Sequence, residues 1–189
     1  MGKLTEFNLS DLNCNVYVET GIGLCDSFRY ATTRFDEAAC YGIDIENDFI
    51  ENARSKFPQS HLFTGLSIDG LKKWFQEGCF QPEDRILFFL DAHFPGSDYR
   101  NQPYDVHAPH ALPLREELSI IKHYRPNNHD TIICDDARIY YHGSWANGNT
   151  IYRADHMIED IFCDRQITLD SRSEGYIIIT KVDTARSIE

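Results

Sequence analysis

Apolar runs typical of strands alternate with segments of helical spacing along most of the chain. Strands are predicted where short apolar runs occur, and helices where apolar residues recur every three or four positions. The predicted strands cover residues 16–18, 40–45, 61–63, 85–90, 131–134, 166–169 and 175–180. The predicted helices begin near residues 26, 47, 67, 113 and 151 and end near residues 35, 57, 75, 126 and 162. This alternation predicts an α/β fold with a mostly parallel sheet, closed by an antiparallel pair at its C-terminal end.

The length and the core-forming content of the chain predict a single domain. The 189 residues fall within the roughly 100–200 residues of a typical domain. No internal repeat, linker or low-complexity segment divides them, so one domain spanning residues 1–189 is expected. Apolar residues make up 42% of the chain, which is enough for a sizeable core. We therefore expect a three-layer sandwich around a doubly wound, seven-stranded sheet.

The charge balance and the terminal segment restrict the partners of the protein. The formal net charge is −12, and this field repels the phosphate backbone of DNA or RNA. Neither a signal peptide nor an apolar run near the roughly 20 residues of a membrane span is found in the sequence. A soluble, cytoplasmic protein without nucleic-acid or membrane partners is expected. Because no C-x-x-C pair occurs, we expect all six cysteines to be reduced and buried.

Acidic residues stand directly after several of the predicted strands. In an open α/β sheet, ligands bind outside the carboxyl ends of the strands, at the point where the strand order reverses. The sequence therefore predicts that these side chains converge on one edge of the sheet: Glu19, Asp44, Asp91, Asp135 and Asp136.

The segment from Glu19 to Gly23 follows the first strand and opens a helix. Its two glycines, Gly21 and Gly23, let a ligand approach the backbone closely. A dehydrogenase fingerprint has a third glycine near the position of Asp26, and a carboxylate at Glu19 suits a sulfonium or amine better than a pyrophosphate. The segment by itself is weak evidence for any one cofactor.

Asp44 ends the second strand, where a carboxylate can accept hydrogen bonds from both hydroxyls of a ribose. Its spacing from Gly21 is typical of a nucleoside-cofactor site. The alternative is that Asp44 only caps the following helix, and Glu46 is the competing residue for the ribose.

Five motifs in order carry a resemblance to a known family. They are V-E-T-G-I-G at 18–23, G-I-D at 42–44, G-L-S at 65–67, L-D-A-H at 90–93 and I-I-C-D-D at 132–136. Together they resemble the class I S-adenosylmethionine (SAM)-dependent methyltransferases, which have a Rossmann-like fold. Within that class the chain resembles the divalent-metal-dependent O-methyltransferases of the macrocin and catechol type. The resemblance implies that SAM is held by Glu19, Gly21, Gly23, Asp44, Ser67 and Asp91.

Asp91, Asp135 and Asp136 follow two strands that we expect to be neighbours. Three carboxylates at adjoining strand ends are costly unless a cation compensates them. Oxygen ligands of this kind suit Mg²⁺, or Mn²⁺, and His93 is either a further ligand or a base. The alternative is that Asp135 caps the following turn while Asp136 pairs with Arg138.

A metal that chelates a substrate hydroxyl lowers its pKa and favours attack on the sulfonium methyl. The catechol enzymes carry a lysine where this chain has Phe94, so the resemblance does not assign the general base. Asp91 and His93 are the predicted catalytic residues, with loop histidines as further candidates: His107, His110 and His142.

The polar stretches 97–110 and 139–149 are expected to form the acceptor pocket. Their aromatic residues could stack on a sugar or phenol ring, or simply close an exposed edge: Tyr99, Tyr104, Tyr140, Tyr141 and Trp145. A homodimer is one way to complete so small a pocket. The leading hypothesis is a metal-assisted O-methyltransferase for a sugar or another small polyhydroxylated or phenolic acceptor. The alternatives are a metal-dependent hydrolase using Asp91, His93, Asp135 and Asp136, and a non-catalytic nucleoside-binding module.

Overall fold

The computed structural model describes residues 3–94, 107, 110–140, 157–173 and 175–182. Its strands are β1 Val16–Thr20, β2 Cys40–Asp44, β3 His61–Thr64, β4 Ile86–Leu90, β5 Thr131–Cys134, β6 Arg165–Asp170 and β7 Tyr176–Lys181. Its α-helices are α1 Asp26–Ala31, α2 Asn47–Lys56, α3 Ser67–Gln76, α4 Leu114–Tyr124, α5 Ala137–Tyr140 and α6 Met157–Ile161. Short 3₁₀ helices cover Leu4–Glu6, Leu9–Leu12 and Glu37–Ala39. No helix in the described part is long and apolar enough to cross a membrane.

The seven strands form one sheet in the order β3-β2-β1-β4-β5-β7-β6. Strands β1 to β5 pair in parallel, whereas β7 is antiparallel to both β5 and β6. The order reverses between β1 and β4, which is where an open α/β sheet binds its ligands. The predicted three-layer, doubly wound, mostly parallel sheet with an antiparallel C-terminal strand is confirmed.

Residues of each strand alternate between two hydrophobic layers. In β4, Ile86, Phe88 and Leu90 pack towards α3 and α4, whereas Leu87 and Phe89 pack towards α1 and α2. All five residues of β4 are buried, as the continuous apolar run predicts. The two layers hold the carboxyl ends of β1 and β4 in register, since Thr20 lies opposite Leu90.

Two helix starts lie one residue from their predicted caps, and α1 is shorter than predicted. Asn47 and Ser67 are the first residues of α2 and α3 instead of their caps. Helix α1 ends at Ala31, not near Phe35. The hydroxyls of Thr32 and Thr33 donate to the carbonyls three residues earlier, at 2.9 and 2.7 Å, and so compete with continuation of the helix. The start of the last predicted helix, residues 151–156, lies outside the described residues.

All six cysteines are free, as predicted, but they are not all buried. Cys25, Cys40 and Cys134 are buried, two others are half-buried, and Cys163 is exposed because it follows the end of α6 in a surface turn. Burial raises the pKa of Cys25 to about 11. The buried thiols therefore stay protonated and behave as small apolar side chains.

Candidate functional site

The loops after β1 and β4 touch at a glycine. Gly21 has a φ of +78°, and a Cβ added to it would lie 2.5 Å from the carbonyl oxygen of Asp91. The amide of Asp91 in turn donates to the carbonyl of Thr20 at 3.0 Å. Only glycine combines this backbone conformation with so close an approach. Gly21 was predicted to let a ligand approach the backbone, and that role stays a prediction; the close approach in the structure is that of the loop after β4.

The carboxylate of Asp44 joins the ends of β1 and β2. Its two oxygens accept hydrogen bonds from the amides of Gly23 at 2.9 Å and Glu46 at 2.8 Å. Burial raises the pKa of Asp44, and these two amide hydrogen bonds oppose that shift. The contact with Glu46 is a local turn before α2 and not a helix cap, because Glu46 is itself the N-cap residue. Asp44 also lines a cavity together with Glu46.

This first cavity lies beyond the carboxyl ends of β1, β2 and β4. Five polar side chains line it: Asp44, Glu46, Ser67, Asp91 and His93. Much of the remaining wall is apolar: Ile43, Ile45, Phe49, Leu66, Ile68, Phe94 and Pro113. A small-molecule site typically combines apolar walls with a few placed polar groups. The predicted cofactor residues Gly21, Gly23, Asp44, Ser67 and Asp91 line it together.

Glu19 is a buried acid held by a buried tyrosine. The hydroxyl of Tyr17 donates to Oε2 of Glu19 at 2.7 Å, and both side chains lie on the same face of β1. Burial raises the pKa of Glu19 well above its ordinary value, and the negative charge of Asp44 adds to the shift. Within the described residues no lysine or arginine pairs with Glu19. A cationic ligand group would relieve this unfavourable burial.

A second cavity of about 490 Å³ adjoins the first, a volume within the roughly 300–1,000 Å³ of small-molecule sites. It lies between α1 and the N-terminal segment, and Ser27, Lys3 and Tyr30 form part of its wall. Gly21 and Asp91 line both cavities, and Glu19 lines the second. The half-buried Asp91 and the buried Glu19 therefore lie where the two cavities share their lining.

His93 connects the loop after β4 with the loop after β5. Its Nε2 lies 2.6 Å from Oδ2 of Asp136, and its Nδ1 lies 3.4 Å from Oδ1 of Asp91. Although burial opposes ionisation, the hydrogen bond and the charge of His93 lower the pKa of Asp136. Nε of Arg138 lies 3.2 Å from the other oxygen of Asp136, so the predicted alternative pairing of Asp136 with Arg138 is present.

Asp91 and Asp135 face each other, as expected for residues that follow neighbouring strands. Burial raises the pKa of Asp91 well above its ordinary value, and the negative charges of Asp135 and Glu19 raise it further. The predicted convergence of these acids on one edge of the sheet is present in the structure.

The acidic cluster does not have the arrangement of a metal site. In the described ranges, no three His, Cys, Asp or Glu side chains are placed to hold one ion. The two oxygens of Asp136 lie 2.6 Å from Nε2 of His93 and 3.2 Å from Nε of Arg138. Part of the charge that a metal was predicted to compensate is therefore faced by these two side chains. The predicted ligation of Mg²⁺ or Mn²⁺ by Asp91, Asp135 and Asp136 stays a prediction.

The predicted acceptor loops fall mostly outside the described residues, with Tyr99, Tyr104, Tyr141, His142 and Trp145 among them. Of the other candidates, His110 lines the first cavity and His107 is exposed. Tyr140 is buried among apolar side chains and packs in the core.

Sequence reasoning missed Glu117, which lies behind the wall of the first cavity. It is 1% exposed and occupies the buried face of α4 with Leu114 and Ile121. Burial raises its pKa to about 7. A glutamate at an apolar position of the helical repeat was the available signal, because such a position normally holds a hydrophobic residue.

Comparison with protein-family models and with curated proteins found no match. Solved structures do match over nearly the whole chain. One is PaMTH1, a methyltransferase of Podospora anserina with bound S-adenosylhomocysteine (SAH). It is 17% identical with a TM-score of 0.58, and the alignment covers 92% of this chain and 74% of that one. Another is the O-methyltransferase of Bacillus cereus in complex with SAH. It is 12% identical with a TM-score of 0.57, and the alignment covers 92% of this chain and 77% of that one.

A third match is SAM-bound CalS10, an amino pentose methyltransferase of Micromonospora echinaspora. It is 8% identical with a TM-score of 0.58, and the alignment covers 95% of this chain and 88% of that one. At this level of identity the likeness concerns the fold. The chain therefore has the fold of the class I SAM-dependent methyltransferases.

Proposed function

We propose that this protein is a SAM-dependent methyltransferase that methylates a hydroxyl of a small acceptor, a sugar or another polyhydroxylated or phenolic compound. The observation that carries the proposal is the junction at Gly21 and Asp91, the residues that line both cavities, beside the buried Glu19. A ligand that fills both cavities needs a part that packs against the apolar walls of the first cavity, a cationic centre at the junction and a polar part in the second cavity. SAM has these three parts.

The residues present fit this cofactor. Asp44 is fixed by two backbone amides and is placed to accept hydrogen bonds from ribose hydroxyls. Apolar side chains of the first cavity provide a surface for the base. A cationic group at the junction would oppose the rise in the pKa of Glu19 and Asp91, so that their ionised carboxylates stabilise it. The matched structures that contain SAM or SAH support the same choice.

When bound, SAM supplies an electrophilic methyl group on a sulfonium sulfur. In the proposed transfer, the C–S bond breaks, an O–C bond to the acceptor forms, and neutral SAH leaves. The hydroxyl proton then needs an acceptor, and we assign it to Nδ1 of His93 because Nε2–H is held by Asp136 at 2.6 Å. The charge of the resulting imidazolium is stabilised by the carboxylate of Asp136.

A more specific version of the proposal adds a divalent metal ion that assists the methyl transfer. The carboxylates of Asp91, Asp135 and Asp136 are chemically suitable for Mg²⁺ or Mn²⁺. The arrangement in the described residues instead directs Asp136 to His93 and Arg138, so the proton path proposed above runs through His93 alone. Turnover measured with EDTA and with added Mg²⁺ decides between the two forms. Equal rates favour the His93 path, and loss of turnover in EDTA favours the metal.

The experiment that tests the proposal combines cofactor binding with product formation. Calorimetry is expected to show binding of SAM and SAH by the full chain. Incubation with SAM and a panel of phenols and sugars is then expected to yield SAH, measured by mass spectrometry. His93→Gln should abolish SAH formation and keep SAM binding, whereas the control His123→Gln, which changes an exposed residue of α4, should leave both unchanged.

The outcomes also separate the two alternatives. Binding of SAM without SAH formation from any acceptor supports a nucleoside-binding module. A wild-type chain that binds a divalent ion but does not bind SAM overturns the proposal and favours the metal-dependent hydrolase.

A further inference from the structure

Tyr17 is a fully buried tyrosine of β1 whose hydroxyl makes a single contact. Its ring lies in the apolar layer that faces α1, with its centroid 5.9 Å from that of Phe28 and 5.6 Å from that of Phe35. A phenylalanine would pack in the same way. Among the described residues the hydroxyl has one hydrogen-bond partner, Oε2 of Glu19 at 2.7 Å. The hydroxyl therefore makes a difference at this position only through Glu19.

The two carboxylate oxygens of Glu19 have different surroundings. Oε2 accepts the hydrogen bond from Tyr17, whereas Oε1 has no donor among the described residues. Yet Oε1 is not one of the side-chain oxygens that are sealed in the interior without a partner. Because Glu19 lines the second cavity, Oε1 is the oxygen that remains open to that cavity.

Tyr17 itself lines neither cavity, so it can act on a ligand only by way of Glu19. Glu19 lines the second cavity and not the first. The ligand group that meets Oε1 therefore belongs to the part of the ligand that occupies the second cavity. In SAM, with its nucleoside in the first cavity, that part is the amino-acid tail. Of the two charged groups of the tail, the ammonium donates hydrogen bonds to a carboxylate oxygen, and the carboxylate repels it.

We propose that Tyr17 is a positioning residue for the cofactor: by holding Oε2 of Glu19, its hydroxyl leaves Oε1 turned towards the second cavity, where it accepts a hydrogen bond from the ammonium of the amino-acid tail. This inference rests on the proposed function, because it assumes that SAM spans the two cavities. It adds a residue that touches no ligand but fixes the direction of one that does.

The test compares SAH with methylthioadenosine, which keeps the nucleoside and the sulfur but lacks the amino-acid tail. The sulfur is uncharged in both, so their difference isolates the tail. Calorimetry on the full chain is expected to show that Tyr17→Phe weakens SAH binding by at least about tenfold, the effect of losing a well-aimed hydrogen bond to a charged group. The affinity for methylthioadenosine should stay within about twofold of the wild-type value, because this ligand does not reach Glu19. A merely structural role would weaken both ligands equally.

The direction of the hydrogen bond gives a second readout. In Glu19→Gln, the Tyr17 hydroxyl still donates to the side-chain carbonyl, and the amide NH₂ group is left facing the ammonium. Adding Tyr17→Phe to this variant frees the amide to turn its carbonyl towards the cavity. SAH binding should then stay the same or become tighter, although the same loss of the hydroxyl weakens it beside the native Glu19. A structural role would weaken SAH binding equally in both backgrounds.

Tyr41→Phe is the matched control. Tyr41 is a buried tyrosine of β2, opposite Val18 of β1, but it packs in the other hydrophobic layer and lines neither cavity. Its loss of a hydroxyl should leave both affinities unchanged. Tyr17→Phe is expected to fold because it keeps the packed ring, and urea unfolding checks this. If only the double variant folds, an SAH affinity tenfold below that of Glu19→Gln overturns the inference.

A folded Tyr17→Phe variant that keeps the wild-type affinity for SAH, or that weakens both ligands by the same factor, also overturns the inference. Neither result would affect the proposed function while SAM still binds. Failure of the wild-type chain to bind SAM and SAH would instead remove the proposed function itself.

Discussion

Nε2 of His93 lies 2.6 Å from Oδ2 of Asp136, and this contact joins the chain segments that follow two neighbouring strands. The register places Leu90 of β4 opposite Cys134 of β5, so the residues just beyond them share one edge of the sheet. The other ring nitrogen of His93 faces Asp91 at 3.4 Å. The imidazole is thus held between two acids, which orients it.

Asp136→Asn should reduce turnover with little change in cofactor affinity. The substitution removes the charge that stabilises the His93 imidazolium, and loss of general-base assistance costs roughly 10²–10⁴-fold in rate. SAH release under saturating SAM measures the effect, and calorimetry measures SAM affinity. Asp164→Asn is the matched control, because Asp164 also pairs with a cation, Lys122, but lies on the surface. A loss of SAM affinity as large as the loss of rate would contradict this role of Asp136.

Asp44→Ala should weaken SAM binding by roughly 10- to 100-fold, the effect of losing one or two charged hydrogen bonds. Two effects combine: the ribose loses its acceptor, and the amide of Gly23 loses the partner that holds the loop after β1. Glu46→Gln should have a smaller effect, because Glu46 contributes its backbone amide to Asp44 and keeps that amide in the variant. Calorimetry with SAM decides between them, and a larger effect of Glu46→Gln would reassign the ribose contact to Glu46.

Gly21→Ala should destabilise the fold by about 2–4 kcal/mol, since a Cβ meets the backbone of Asp91 at 2.5 Å in a left-handed conformation. Gly78→Ala is the matched control. Gly78 has a φ of +69° but no atom within 4 Å of the added Cβ. Gly78→Ala should therefore lower the free energy of unfolding by only about 1 kcal/mol. Urea unfolding measures both free energies. Equal losses would show that the contact between the two loops carries no penalty.

Glu117→Gln should flatten part of the dependence of stability on pH. Burial raises the pKa of Glu117 to about 7, whereas an unfolded glutamate titrates near 4.3. The folded state therefore binds a proton on Glu117 more tightly than the unfolded state does. The stabilisation that this proton gives is present below about pH 4 and is lost as the pH rises through about 7. Between pH 5 and pH 8 the wild-type chain should lose about 2–3 kcal/mol more unfolding free energy than Glu117→Gln.

Urea unfolding of both proteins at these two pH values tests this prediction. Glu19, Asp44 and Asp91 also have raised pKa values, but they are present in both proteins and cancel in the comparison. Parallel pH dependences of the two proteins would show that Glu117 does not titrate in this range.

The strand and helix pattern of the chain predicted the architecture because each element follows from local chemistry. The apolar run at 85–90 became β4, buried along its whole length, and the acids after the strands met at one edge because parallel strands end together. Helix boundaries were less predictable. At α1 the hydroxyls of Thr32 and Thr33 compete with the backbone, and the balance between these weak contacts is not encoded in apolar spacing.

The sequence by itself therefore determined the layered α/β fold, the edge on which the site lies, and the acidic and glycine residues that build it. Only the tertiary structure decided how those acids are used. Whether Asp136 faces a metal, Arg138 or His93 depends on distances of a few ångström between loops far apart along the chain. The burial of Glu117 depends likewise on how α4 packs beside α3. Periodicity is a property of one segment, whereas charge compensation is a property of the groups that folding brings together.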